Sequence, residues 1–260
     1  LEVVVLLKQV PATESDIRIA DNGTSIRTED IKWVINPYDE FAVEEALRIR
    51  ETHEGTVTIL SMGPERAIEA IRSAMAMGAD RGVLINDSGE YEYDSLRTAQ
   101  ALAGVLKKIP FDVIIAGQRA VDDDNYQVGT AVAEFLNIPM IPMVTKEVIM
   151  EGNIQCHRSL EGGSVVLEAP LPVLFTTQRG LNEPRYASLP GIMKAKKKPL
   201  ETKSPKDVGI DETVSGFHGT KILSMRLPPA RNAGRIIEGE TAEAKATELV
   251  RLLREEAKVI

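Results

Sequence analysis

Cysteine is nearly absent from this sequence: Cys156 stands alone among 260 residues. One thiol makes no internal disulfide, and a thiolate metal site takes several soft ligands. Histidine is scarce as well, and His53, His157 and His218 stand too far apart for a ligand motif, which leaves metal catalysis without a basis in sequence. No apolar run approaches the length that spans a bilayer, and the opening "LEVVVLLKQV" is strand-like, with no charged leader or Arg-rich presequence. These absences predict a cytoplasmic chain with no direct membrane insertion. Positive charge is in deficit, with 31 Lys and Arg against 39 Asp and Glu for a formal net charge of -8. Phosphate neutralisation wants a basic face, so nucleic acid is excluded as the main partner. Neither GxGxxG nor GxxxxGK(S/T) occurs, which removes the standard dinucleotide and P-loop readings. Internal repeats and low-complexity segments are also missing.

What is present is an alternation of short β-rich runs with helical patterns up to about residue 145, the signature of βαβ units and an α/β fold on a parallel sheet. Continuous apolar runs at 3–7, 56–60, 82–85 and 113–116 read as strands buried on both faces. Helices are expected over 41–50 (stripe Val43, Ala46, Leu47), 65–77 (Ile68, Ile71, Met75), 95–108 (Leu102, Val105, Leu106) and 126–136. From 145 to 177 the period becomes two, broken at Glu151-Gly152-Asn153 and Gly162-Gly163, which reads as a hairpin extension followed by a buried strand. Residues 180–230 are proline-punctuated and aperiodic, an irregular arm. A last amphipathic helix at 242–256 carries Leu249, Leu252 and Leu253 on one face, and such an arm and helix often dock on a partner. The expected division is 1–180 for the α/β domain with its hairpin, 181–198 for a loop that recognises a partner, and 199–260 for the C-terminal arm and helix.

In open α/β sheets ligands bind beyond the carboxyl ends of strands, where a loop enters a helix with unpaired N–H groups. "AGQRAVDDDNYQVG" has that context. Asp122, Asp123 and Asp124 would repel a phosphate, so the amides of 125–129 would hold it with the acids turned aside or capping. Plain helix capping and Mg²⁺ ligation by the three acids are the competing readings. In "INPYDEFAVEEALR" the residues describe a helix start, and they leave open whether Tyr38 is a core anchor or faces a ligand. A stand-alone nucleotide-binding regulator or hydrolase of the same fold is a further alternative, though it leaves the arm and last helix unexplained.

"GLNEPRYASLPGIMKAKKK" at 180–198 has the make-up of a docking element, with Leu189, Ile192 and Met193 as apolar members, two prolines and four lysines in five residues. Together with "KQVP", "NPYDEFAVEEALR", "AMAMGADRGV", "DVIIAGQRAVDDDNYQVG" and "PPARNAGRIIEG", in matching order over essentially the whole chain, it resembles the β subunit of electron transfer flavoprotein. The resemblance implies a three-layer, Rossmannoid domain of the adenine-nucleotide hydrolase-like type. It implies a heterodimer with an α subunit that holds most of the FAD site, and an electron carrier, not an enzyme. Electrons would pass from acyl-CoA or other flavin dehydrogenases to a quinone oxidoreductase. Carried onto this sequence, the nucleotide pocket falls at Leu6, Asn36, Met62, Ala120, Asp123, Asn125, Tyr126, Gln127, Val128 and Gly129, and Thr13 and Tyr38 lie near the α-bound FAD. The partner-binding residues are Tyr186, Leu189, Pro190, Ile192, Met193, Lys194, Lys196, Lys197 and Lys198, with Leu189 as the tip. One branch of the family holds AMP in the β pocket, and a bifurcating branch holds a second FAD there. The bifurcating loop resembles D-G-D-T-A-Q-V-G. Here Asp123 replaces the glycine and Asn125 and Tyr126 replace small residues, and that bulk and charge favour AMP over a diphosphate.

Overall fold

Alternating side chains of the first strand sort the whole domain into layers. In the computed structural model, which describes residues 1–87, 94–210, 220–229 and 233–260, β1 (Glu2–Leu6) sends Val3 and Val5 into one apolar cluster and Val4 and Leu6 into another. The first cluster contains Val43 and Leu47 of α1 (Pro37–His53) and Ile71 and Met75 of α2 (Ala67–Met77). The second contains Leu102 and Val105 of α3 (Ser95–Leu106) and Val132 and Ala133 of α4 (Val128–Leu136). Two helices on each face of a sheet make the expected three-layer α/β architecture.

β2 (Gln9–Pro11) and β3 (Trp33–Ile35) form a separate antiparallel pair. The main sheet adds β4 (Thr56–Gly63), β5 (Arg81–Asn86), β6 (Val113–Gly117), β7 (Met140–Met150), β8 (Asn153–Leu160), β9 (Gly163–Pro170) and β10 (Val173–Thr177). Past α5 (Leu189–Ala195) it gains β11 (Leu200–Lys203), giving the order β11-β5-β4-β1-β6-β10-β7-β8-β9. Strands β11 to β7 in that order pair in parallel, and β7, β8 and β9 form an antiparallel meander.

The expected hairpin and buried strand are present, but β7 begins at Met140, inside a run whose two prolines conceal it. The irregular arm is the larger correction. Residues 189–195 are helical, β11 pairs with β5 from Leu200 opposite Gly82 to Lys203 opposite Ile85, and a 3-10 turn at Lys206–Val208 follows. The stretch at 200–210 is therefore part of the sheet domain. Helix α4 starts at Val128, because Tyr126 is in the left-handed region at φ 58°. Two compact units result, Leu1–Ser224 and Met225–Ile260. The second holds α6 (Ala242–Glu255), capped by Thr241, whose hydroxyl accepts the Ala244 N–H. His218, and Ala230, Arg231 and Asn232 of the terminal motif, lie outside the described residues.

Candidate functional site

Strand order reverses at β1, which β4 flanks on one side and β6 on the other, so a crevice opens beyond their carboxyl ends. The first turn of α1 closes its floor. Asn36 precedes Pro37 in the capping position but does not cap; its Nδ2 donates to the Arg119 carbonyl at 2.8 Å and its Oδ1 accepts the Val121 N–H at 3.1 Å. Its amide thus shapes the 119–121 loop. Asp39 is buried and accepts two backbone N–H groups, that of Lys8 at 2.7 Å and that of Gly117 at 3.0 Å, which ties the ends of β1 and β6 together. Burial pushes its carboxyl up to about 7, against the pull of those hydrogen bonds. A Cβ on Gly117 would collide with Asp39 Oδ1 and stand 2.8 Å from Tyr38 Cβ, so glycine is what lets this turn approach β6.

The loop from Gln118 to Gln127 forms one wall. Lys8 Nζ donates to Asp122 Oδ1 and to Asp123 Oδ2, each at 2.9 Å. Burial lowers the lysine pKa, but the two carboxylates outweigh it and leave the pKa above its ordinary value. Arg119 binds Asp124 through 2.6 and 2.7 Å contacts, donates to the Tyr38 hydroxyl at 3.0 Å, and lies 5.0 and 5.6 Å from the ring centres of Tyr38 and Tyr126. Asn125 donates to Ser95 Oγ at 3.0 Å. Asp124 and Tyr126 both take left-handed backbone, with φ of 55° and 58°. All three acids are thus drawn onto cations. Among the described residues no side chain caps α4, so the N–H groups of its first turn are left without a capping partner.

A cavity of about 110 Å³ lies at that helix end, lined by Gln118, Tyr126, Gly129, Thr130, Met143 and Thr176 among others. Whole small-molecule ligands fill several hundred Å³, so the cavity is smaller than such a site. Gln118 is 9% exposed and its buried Oε1 has no partner, and the buried Arg119 Nε has none either. Of the other residues expected here, Leu6, Met62 and Val128 join one apolar cluster. Gly129 lets α4 approach the sheet, a Cβ there standing 3.2 Å from Thr176 Cγ2. Ala120 accepts the Asp124 N–H at 2.9 Å, and Thr13 is exposed in the turn after β2.

The segment at 180–198 is bolted down behind an exposed tip. Asn182 donates to Glu45 at 2.7 Å and to the Phe41 carbonyl at 3.0 Å. Arg185 Nε and Nη2 hold Glu44 at 2.8 and 2.9 Å, and Nη1 together with the same Nη2 holds Glu51. Ser188 caps α5 by accepting the Gly191 N–H, and a Cβ on Gly191 would collide with the Ala76 carbonyl. In front of these anchors Tyr186, Leu189 and Met193 are 98%, 79% and 72% exposed, with Pro190 and Ile192 beside them. Lys194, Lys196 and Lys197 are exposed. Lys198 is engaged elsewhere, its ammonium donating to the Met75, Gly78 and Ala79 carbonyls at the end of α2. Three lysines, not four, are free to face a partner.

Sequence reasoning missed Lys8, Asp39, Arg119 and Arg185 as site-builders. Each acts across 31 to 141 residues of chain, except Arg119 on Asp124. A usable signal lay in a lysine two residues past β1 and an arginine two residues past β6. Among the described residues no three His, Cys, Asp or Glu side chains are grouped to hold a metal, and no helix is long and apolar enough to cross a membrane.

Comparison with known proteins bears directly on this arrangement. A family model described as "Electron transfer flavoprotein domain" matches residues 24–208. The electron transfer flavoprotein subunit beta of Bacillus subtilis (strain 168) is 43% identical over the full length of both chains, and that of Bradyrhizobium diazoefficiens is 36% identical over the same extent. The caffeyl-CoA reductase-Etf complex subunit CarD of Acetobacterium woodii is 36% identical over 98% of both. Similarity of that degree from end to end, with the domain model covering most of the sheet domain and the 180–198 segment, means that the chain belongs to the electron transfer flavoprotein family, on the β-subunit side.

Proposed function

We propose that this chain works as the β half of a heterodimeric electron carrier, with AMP held structurally in its crevice and FAD held mainly by the α subunit. The observation that carries the reading is the uncapped first turn of α4, placed beyond β6, with all three neighbouring acids drawn off by Lys8 and Arg119. The donor set suits a nucleoside monophosphate. Backbone amides of the first turn of α4 suit the phosphate, Leu6, Met62 and Val128 give an apolar surface for a base, and the unpartnered Gln118 oxygen accepts from a hydroxyl. Asn36 and Asp39 act one step back by fixing the loop and the strand ends.

FAD supplies the redox chemistry when bound. Tyr38 and Thr13 are the residues this chain extends towards it, and Arg119 holds the Tyr38 hydroxyl in place. The exposed tip at Leu189 docks an acyl-CoA or other flavin dehydrogenase, and a quinone oxidoreductase accepts the electrons. The last helix suits packing on the α subunit, with Leu249 and Val250 of α6 44% and 46% exposed. The carrier is expected in the cytoplasm.

The test is to purify the chain with its α subunit, denature the complex, and identify the released nucleotides by chromatography. One AMP and one FAD per heterodimer are expected. Two FAD and no AMP would overturn the AMP assignment in favour of the bifurcating branch.

A further inference from the structure

Away from the crevice, two carboxyl groups meet directly beneath the root of the 180–198 segment. Glu45 of α1 is buried, and its carboxyl is in hydrogen-bond contact with that of Glu147 on β7. Asn182 completes the group by donating to Glu45 at 2.7 Å while it also holds the Phe41 carbonyl. Glu147 Oε2 and Asn182 Oδ1 are buried there without partners. Carboxylates only accept, so two of them share a hydrogen bond only when one carries a proton.

The charges around the pair do not remove that need. Arg48, on α1, lies 3.7 Å from Glu45 and 3.9 Å from Glu44, divided between two acids. Arg185, from the 180–198 segment, is occupied by Glu44 and Glu51. On β8, Cys156 stands opposite Glu147 in the ladder as a buried thiol, pushed up to about 12 by burial and then by Glu147. Arg158, two residues further on the same face of β8, leaves its buried Nε unpartnered, so that atom does not reach Glu147. Burial, and then the charge of Glu45, push the Glu147 carboxyl up to about 7. Burial also raises Glu45, but Asn182 and Arg48 pull it back, so the proton resides on Glu147 and is donated to Glu45.

We propose that Glu45, Glu147 and Asn182 form a one-proton latch that fastens the root of the 180–198 segment to α1 and β7 and loosens it when the proton leaves. The exposed tip is then presented more firmly in acid than in alkali. The sign follows from linkage: the closed junction binds the proton more tightly than the open chain, whose glutamate has its ordinary value of 4.5. The stabilisation is complete below that value and is lost as pH rises through about 7, where two carboxylates face each other in a dry junction. The latch concerns how the segment is held and stands whatever the tip binds.

Hydrogen exchange of residues 180–188 in the αβ heterodimer, followed by mass spectrometry from about pH 6 to about pH 8.5 and divided by the intrinsic rate at each pH, reads the opening of this junction. Protection in the parent should fall about tenfold, the drop produced over that range by a group at 4.5 when open and about 7 when closed. Glu147→Gln keeps the shape of the acid and donates at every pH, so its protection should stay level. Glu45→Gln, which turns an amide towards Glu147, should be level too. Asp39→Asn removes the other α1 carboxyl raised to about 7 and should leave the tenfold fall intact. A level parent, or a fall that persists in both Gln variants, overturns the latch. A fall abolished by Asp39→Asn assigns the effect to the crevice floor and overturns it as well.

Discussion

The loop leading into α4 and the segment leading into α5 solve opposite problems with the same parts. In the first, side chains are engaged with one another while the helix end is left uncapped. In the second, Ser188 caps the helix, Asn182 and Arg185 fasten the chain, and the side chains are left free, with Leu189 and Tyr186 exposed. One region offers its backbone and the other its side chains. A ligand that is an anion wants the former, and a protein partner wants the latter.

The largest expected effect tests how firmly the crevice floor is set. Asp39 has a folded-state pKa raised to about 7 by burial, above its value of 3.8 in the open chain. Its contribution to stability is complete below pH 3.8 and lost as pH rises through 7, because the native state binds the extra proton over that window. Linkage puts the loss at no more than about 4 kcal/mol, and the Asp39→Asn variant should flatten that part of the stability profile in denaturant titrations run from pH 4 to 8. A parent profile that is level over that range would show the carboxyl to be ionised throughout.

Next in size is the anchor of the docking segment. Arg185→Ala leaves Glu44, whose side chain is 6% exposed, with Arg48 at the longer distance of 3.9 Å as its remaining cationic partner, and should lower stability by about 3 kcal/mol with nucleotide content unchanged. A shift of the denaturation midpoint together with loss of nucleotide would mean that the two regions are not separable. Leu189→Ala should do the reverse, costing about 2 kcal/mol of dehydrogenase affinity, a loss of about thirtyfold by titration, with no change in stability. The smallest effect belongs to the lysines. Neutralising Lys194, Lys196 and Lys197 should slow association a few-fold at low salt, whereas Lys198→Ala should instead lower stability by about 1 kcal/mol through the carbonyls it leaves behind. Stopped-flow rates against ionic strength, beside melting curves, separate the two.

These contrasts also mark what was legible in the sequence. β1, β4, β5 and β6 announce themselves as unbroken apolar runs, and α1 to α3 as apolar stripes, because both are local patterns with one period. α5 is seven residues long and contains Pro190 and Gly191, so no stripe can develop, and β11 reads Leu-Glu-Thr-Lys, an edge strand with little to alternate. Asp39 reads as an acid in the first turn of a helix, and Lys198 as one more charge in a basic run. Only the folding of distant strands and helix ends beside them reveals that each satisfies backbone groups. Asn36 is the same case: a capping residue by position, a loop brace by contact.

Helix α1 carries the fastenings of both regions, Asp39 for the crevice and Glu44, Glu45 and Glu51 for the docking segment. At about 1.5 Å per residue it acts as a ruler, setting anchors roughly 7 Å and 18 Å along its axis from the crevice floor. It also fixes an angle, since one inserted residue would turn every later anchor by about 100°. The span from crevice floor to exposed tip is thus written as a residue count within a single rigid rod.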